Sequence, residues 1–118
     1  MRVKHSNSVL GENVSAGNKT TRQVLISSQE GPNFAMRLFT IAPEGDMPRH
    51  TNSVEHEQYV ISGCAQIGIA DEVYTVSQGD VVFIPANVPH WYKTIGDEPF
   101  RFLCMIPNQE DKITLIKT

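Results

Sequence analysis

The chain is short of most features that mark whole classes of protein. Among its 118 residues there are two cysteines, Cys64 and Cys104, far apart and in no C-x-x-C pattern. They read as two reduced core thiols of an intracellular chain rather than as a disulfide. No apolar run approaches the ~20 residues that cross a bilayer, so no membrane association is expected. The N-terminal stretch Met1-Arg2-Val3-Lys4-His5-Ser6-Asn7 is polar and has no apolar core, which argues against a secretory signal and for a cytoplasmic protein. Basic clusters are absent and the formal charge is -3, which speaks against a nucleic-acid partner. The chain also lacks low-complexity runs, internal repeats and linkers. What remains is ordinary globular material, 40% hydrophobic and 19% charged. One domain of this length buries roughly two-thirds of the surface its unfolded chain exposes and needs no staple.

Apolar spacing of the helical kind does not persist beyond about two turns anywhere. Instead, short runs rich in β-branched and aromatic residues alternate with turn signals. The runs cover 23–27, 34–42, 57–62, 64–70, 72–76, 80–84, 90–94 and 100–106, and a last apolar run at 112–117 can add an edge strand. Between them lie Gly31-Pro32-Asn33, Pro43-Glu44-Gly45-Asp46, Ser62-Gly63, Gln78-Gly79-Asp80 and Gly96-Asp97-Glu98-Pro99. Many short strands at such spacing predict an all-β sandwich or barrel, and closure into a barrel removes exposed edges. Residues 1–20, rich in Ser, Asn and Gly, read as a loosely held arm with room for one short strand, ahead of a single barrel domain over 21–118.

Of the four histidines, His56 and His90 fall at or beside the starts of two of these runs, and His50 follows Pro48-Arg49 after the Gly45 turn. A lone histidine is ordinarily a surface or satisfied core residue. Three imidazoles brought together would bind a divalent transition metal and leave positions open for water or substrate. His50 and Asn52 are two apart, so on one strand they share a face. Pro85 and Pro89 keep the segment before His90 extended, and Gly63 permits a tight turn after the second run of the motif.

The stretch from Gly45 through His50, Asn52, Glu55, His56 and Glu57 to Gly63 resembles the first motif of the cupin superfamily. Gly79-Asp-Val-Val-Phe-Ile-Pro85-Ala-Asn-Val-Pro-His90 is similar to the second. The resemblance spans about 34–107, and Pro-Asn-Phe-Ala-Met-Arg-Leu-Phe-Thr at 32–40 with Phe-Leu-Cys-Met-Ile-Pro at 102–107 resembles a narrower group, small single-domain bacterial cupins whose metal, often manganese, is held by four histidines. It implies a small double-stranded β-helix, or jelly-roll barrel, with one divalent metal, Mn or Fe favoured and Ni, Cu or Zn as alternatives. The metal ligands it implies are His50, Asn52, His56 and His90. Asn52 stands where the pattern has histidine, so the fourth corner is either a weak amide-oxygen ligand or an open position. Asn87 replaces the second motif's glycine, and asparagine tolerates φ > 0 better than most residues. Glu57 competes with His56 as ligand; adjacent strand residues point to opposite faces, and His56 is favoured.

Arg37 interrupts an apolar run and lies either on a solvent-facing side or in the pocket, where the resemblance inclines it to clamp a carboxylate. Phe102 and Cys104 share one face of the last strand, opposite Arg101, and are assigned to the inside as substrate contacts. Cys104 can equally be a small buried hydrophobe. The functional expectation is a metal-binding small cupin, an oxygen-handling, dioxygenase-like oxidoreductase acting on a small organic molecule. The alternatives are a non-catalytic cupin that binds a small ligand or metal, and a metal-dependent isomerase or lyase. A homodimer is expected, in part from the resemblance.

Overall fold

In the computed structural model, which describes residues 2–116, the chain is built almost entirely of antiparallel strands. A single 3-10 turn at Ser6–Ser8 precedes β1 (Glu12–Asn13), β2 (Asn18–Ile26), β3 (Phe34–Asn52), β4 (His56–Ser62) and β5 (Cys64–Ile69). They are followed by β6 (Glu72–Ser77), β7 (Val81–Ile84), β8 (His90–Ile95), β9 (Phe100–Pro107) and β10 (Ile113–Leu115). The strands form one curled sheet in the order β6-β5-β8-β3-β9-β4-β7, with β2 and β10 also paired to β3 and β1 to β2. This is the jelly-roll arrangement that alternating short strands imply.

The long β3 joins the two halves. Its first part pairs with β9 from Phe34↔Pro107 to Ile41↔Phe100, and its second part pairs with β8 from Asp46↔Lys93 to His50↔His90. The sequence reading ended this strand at residue 42 and took Pro43–Asp46 for a turn. The structure instead keeps one bent strand. Glu44 takes φ 68, and the register against β2 slips between Asn18↔Asp46 and Thr20↔Ile41. The turn residues bend and bulge the strand without reversing it, because β2 stays paired on both sides of the bend.

The arm is more firmly fastened than its composition implies. β2 begins at Asn18, within the 1–20 segment, and β1 folds back on it through Glu12↔Arg22 and Asn13↔Thr21. The Gln23 side-chain amide donates to the backbone oxygens of Ser6 and Val9, 2.9 Å each. At the other end β10 pairs with β3 through Ile113↔Asn52 and Leu115↔His50. The predicted edge strand is thereby shortened to three residues, and its far end at Lys117 lies outside the described residues.

Alternation along the strands sorts the core from the surface. In β4, His56, Gln58 and Val60 are buried while Glu57 and Tyr59 are exposed; in β9, Phe100, Phe102 and Cys104 are buried. Phe102 lies between Phe39 (5.2 Å between ring centroids, 8° between planes) and Tyr92 (5.2 Å, 14°) in a continuous stack. Ile41, Val60, Ala65, Ile67, Val82 and Ile84 complete the core beneath it. Cys64 and Cys104 are both unpaired.

Candidate functional site

The three histidines sit at strand ends on the same inner face. His50 and His90 are direct cross-strand partners in β3 and β8, and His56 opens β4. All three are at least nine-tenths buried, and so is Asn52. The His50 and His90 ring centroids are 4.2 Å apart, and those of His56 and His90 6.1 Å.

Each ring is fixed in the same way. The Nδ1 of His50 lies 2.8 Å from the Pro48 carbonyl oxygen, that of His56 3.0 Å from Val54 and that of His90 2.9 Å from Val88. A carbonyl oxygen only accepts, so each Nδ1 carries the proton and each Nε2 keeps a free lone pair. Such a backbone bond to the second ring nitrogen is what orients a metal-ligating histidine. Burial favours the neutral rings: it is the first cause holding His56 and His90 down to about 4 and lowering His50 as well. Asn52 adds a fourth lone pair. Its Nδ2 donates to Asp111 Oδ2 at 3.0 Å, while its buried Oδ1 has no hydrogen-bond partner. An orphaned buried acceptor beside three unprotonated imidazole nitrogens is a donor set suited to a divalent transition metal. Among the described residues, no three His, Cys, Asp or Glu side chains are grouped closely enough to hold one ion as they stand. A shared ion would therefore draw the rings together.

The four side chains line one cavity of about 40 Å3 with Arg37, Phe39, Met47, Gln58, Tyr92 and Phe102. That is room for a few waters. Val14 and Ala16 from the arm and Ile113 from β10 also line it. No carboxylate does. Arg37 is buried to 9% exposure, has no acidic partner among the described residues, and leaves its Nε without a hydrogen bond. Its Nη2 donates to Cys104 Sγ at 3.2 Å, and its guanidinium lies 4.9 Å above the Phe39 ring.

The structure thus brings Arg37 and Phe102 to the cavity together with the histidines and Asn52. Cys104, expected as a substrate contact, does not line it. Its strand neighbours in register, Arg37 and Gln58, have longer side chains that cover it, and burial pushes its thiol up. Glu57 is exposed on the outer face. Gln58 is not singled out from the sequence, and Tyr92, which flanks His90 in the sequence and reads there as a packing or dimer-contact aromatic, lines the cavity; each lies two residues beyond a histidine on the same face. Gln58 Nε2 donates to the Tyr92 hydroxyl at 2.7 Å. Asp111 sits in a loop-like tail and carried no sequence signal.

The buried neutral rings make a prediction for the metal-free chain. In the unfolded chain these histidines take up protons below the ordinary 6.5, whereas folded His56 and His90 resist protonation to about 4. Stability is then fully present above pH 6.5 and falls as the pH drops through the window between 6.5 and 4, by several kcal/mol at about 1.4 kcal/mol per pKa unit. Urea denaturation of metal-free protein at pH 7.5, 5.5 and 4.5 checks this; an unchanged midpoint contradicts it.

A model of the cupin domain matches residues 37–106, more than half of the chain. The chain belongs to the cupin family. This cupin is 30% identical over 92 residues to the 1-methylthio-D-xylulose 5-phosphate methylsulfurylase of Rhodospirillum rubrum, covering 78% of this chain and 58% of that protein. The chain therefore spans little more than half the length of that curated relative. Among solved structures it resembles the polyketide cyclase RemF of Streptomyces resistomycificus, with a TM-score of 0.91 and 28% identity, covering 100% of this chain and 87% of that one. It also resembles the oxalate decarboxylase of Lactobacillus farciminis, with a TM-score of 0.77 and 25% identity, covering 95% of this cupin and 35% of that chain. No helix among the described residues is long and apolar enough to cross a membrane.

Proposed function

We propose that this cupin binds one divalent transition metal, Mn2+ or Fe2+ in first place, through His50, His56, His90 and the amide oxygen of Asn52, and uses it on a small organic molecule. The observation that carries this reading is the set of three Nδ1–H···O=C bonds, which leaves three buried Nε2 lone pairs and the orphaned Asn52 Oδ1 facing one cavity. The bound metal would supply Lewis acidity and open coordination positions for substrate or O2. Oxygen-handling, dioxygenase-like chemistry is the reaction class that such open positions favour. Phe39, Met47, Tyr92 and Phe102 keep the cavity apolar and exclude bulk water, which strengthens every polar contact inside. Arg37, a buried cation without an acidic partner, would bind an anionic group of the substrate.

A second reading, a metal-dependent isomerase, lyase or cyclase without oxygen, is favoured by the relatives, whose names describe a methylsulfurylase, a cyclase and a decarboxylase. The homodimer belongs to the same proposal; the exposed apolar Val73, Tyr74, Val81 and Phe83 support it.

The test is a thermal-shift series on metal-free protein with Mn2+, Fe2+, Ni2+, Cu2+ and Zn2+. Stabilisation by at least one is expected, and none would sink the metal reading. Asn52→His, which replaces a weak neutral oxygen by an imidazole, is expected to tighten binding by about tenfold or more; an unchanged affinity would mean that residue 52 does not reach the metal. Oxygen consumption on a small-molecule panel with the Fe2+ or Mn2+ form separates the two reaction classes.

A further inference from the structure

The tail after β9 returns to the site and grips the residue at its weak corner. Asp111 Oδ2 accepts from Asn52 Nδ2 at 3.0 Å, and Asp111 Oδ1 accepts from the Ser53 backbone N–H at 3.1 Å. Ser53 closes the clasp: its Oγ donates to the Glu110 carbonyl at 3.2 Å and accepts from the Lys112 N–H at 2.7 Å. The Asn52 backbone carbonyl is held from the other side by the Asn87 N–H at 2.7 Å, and Asn87 takes the φ of 65 that its turn requires.

A primary amide has two ends of nearly equal shape and opposite polarity. A dication repels the NH2 end and binds the oxygen, so the ligand value of Asn52 depends on which end faces the cavity. An ionised carboxylate only accepts. Asp111 therefore takes the NH2 end and leaves Oδ1, buried and without a partner, on the cavity side. Charge acts in the same direction. Three neutral imidazoles and a neutral amide bring no compensation to a dication, no carboxylate lines the cavity, and of its two lining cations Arg22 is paired with Glu12 while Arg37 adds an unpaired positive charge. The Asp111 carboxylate lies one hydrogen bond behind the ligand atom.

We propose that Asp111 is a positioning residue for the metal site, holding the Asn52 amide with its oxygen toward the metal and supplying the anion that offsets the metal's charge. This rests on the metal-site reading above. It makes the C-terminal tail part of the site, so that metal retention depends on a segment outside both histidine-bearing motifs.

The test compares wild type, D111A and the swapped pair N52D/D111N by calorimetric titration of the full chain with Mn2+ and Co2+. Metal-free thermal midpoints and the visible absorption of the Co2+ forms are recorded alongside. D111A is expected to weaken the Kd by about 10–100-fold and to alter the Co2+ spectrum. In the swap, the amide now carried at position 111 donates to a carboxylate at position 52, so affinity returns to the wild-type level or better. D111A binding like wild type, with only its metal-free midpoint lowered, overturns the proposal and leaves the metal site standing. So does a swap that binds more weakly than wild type, a comparison that stands even when D111A does not fold. Wild type that binds neither metal nor any other in the series above overturns both.

Discussion

Replacing His90 by alanine is expected to abolish metal-dependent stabilisation altogether. His90 is the central member of the group, with its ring 4.2 Å from His50 and 6.1 Å from His56, and it is the most deeply buried of the three at 1% exposure. Its Nδ1 is held by the Val88 carbonyl, which leaves Nε2 as its ligand atom. Wild type saturated at about a thousand times its Kd gains about 4 kcal/mol. With two imidazoles and one amide oxygen left, that gain falls to nearly nothing at the same metal concentration. The metal-free comparison matters as well. The ring packs edge-on against Tyr92 at 5.8 Å, so its removal costs packing, but the cost is the same with and without metal. The readout is therefore the difference between the two melting curves. A shift that survives in His90→Ala would place the ion elsewhere.

The largest purely structural effect is expected at the hairpin between β4 and β5. Gly63 takes φ +81, and a Cβ there would meet Pro99 O at 2.3 Å, Phe100 Cα at 2.8 Å and the Pro99 carbonyl carbon at 2.9 Å. All three are backbone atoms, which cannot rotate aside. Gly63→Ala thus combines the left-handed backbone penalty, about 1–2 kcal/mol, with forced separation of the hairpin from the β8–β9 connection. A total loss of at least ~3 kcal/mol, a large share of a small domain's stability, is expected in urea denaturation. Gly79→Ala is the control. Gly79 has φ +93 but nothing within 4 Å of an added Cβ, so it carries the backbone penalty alone, about 1–2 kcal/mol. Equal losses at the two positions would refute the close-approach account.

Fold class and the inner face of each strand were legible because a two-residue period carries that information directly. His56, Gln58 and Val60 alternate inward against Glu57 and Tyr59, and any strand reading of 56–60 gives this. What local sequence could not give was decided by pairing. Pro43-Glu44-Gly45-Asp46 has every local mark of a reversal, yet β2 stays paired on both sides and the segment becomes a bend within β3. Cys104 has the parity of a pocket residue, but parity does not tell that Arg37 and Gln58 on the flanking strands would cover it. Asp111 is the clearest case. An aspartate in Gln109-Glu110-Asp111-Lys112 reads as solvated tail, and only the return of that tail along β3 brings it to Asn52. His56 and His90 are the opposite case, since each opens its strand directly after the loop that the sequence marks.

The cavity has a divided construction. Most of its lining comes from the central strands, while Val14 and Ala16 come from the β1–β2 connection and Ile113 from β10, outside the strands that carry the histidines. Neither segment carries a histidine of the site. A lineage can therefore reshape what the cavity admits by editing those segments while the histidine strands stay untouched. That separation of the adaptable from the fixed would let one small barrel be turned to transformations as unlike as those its relatives carry out.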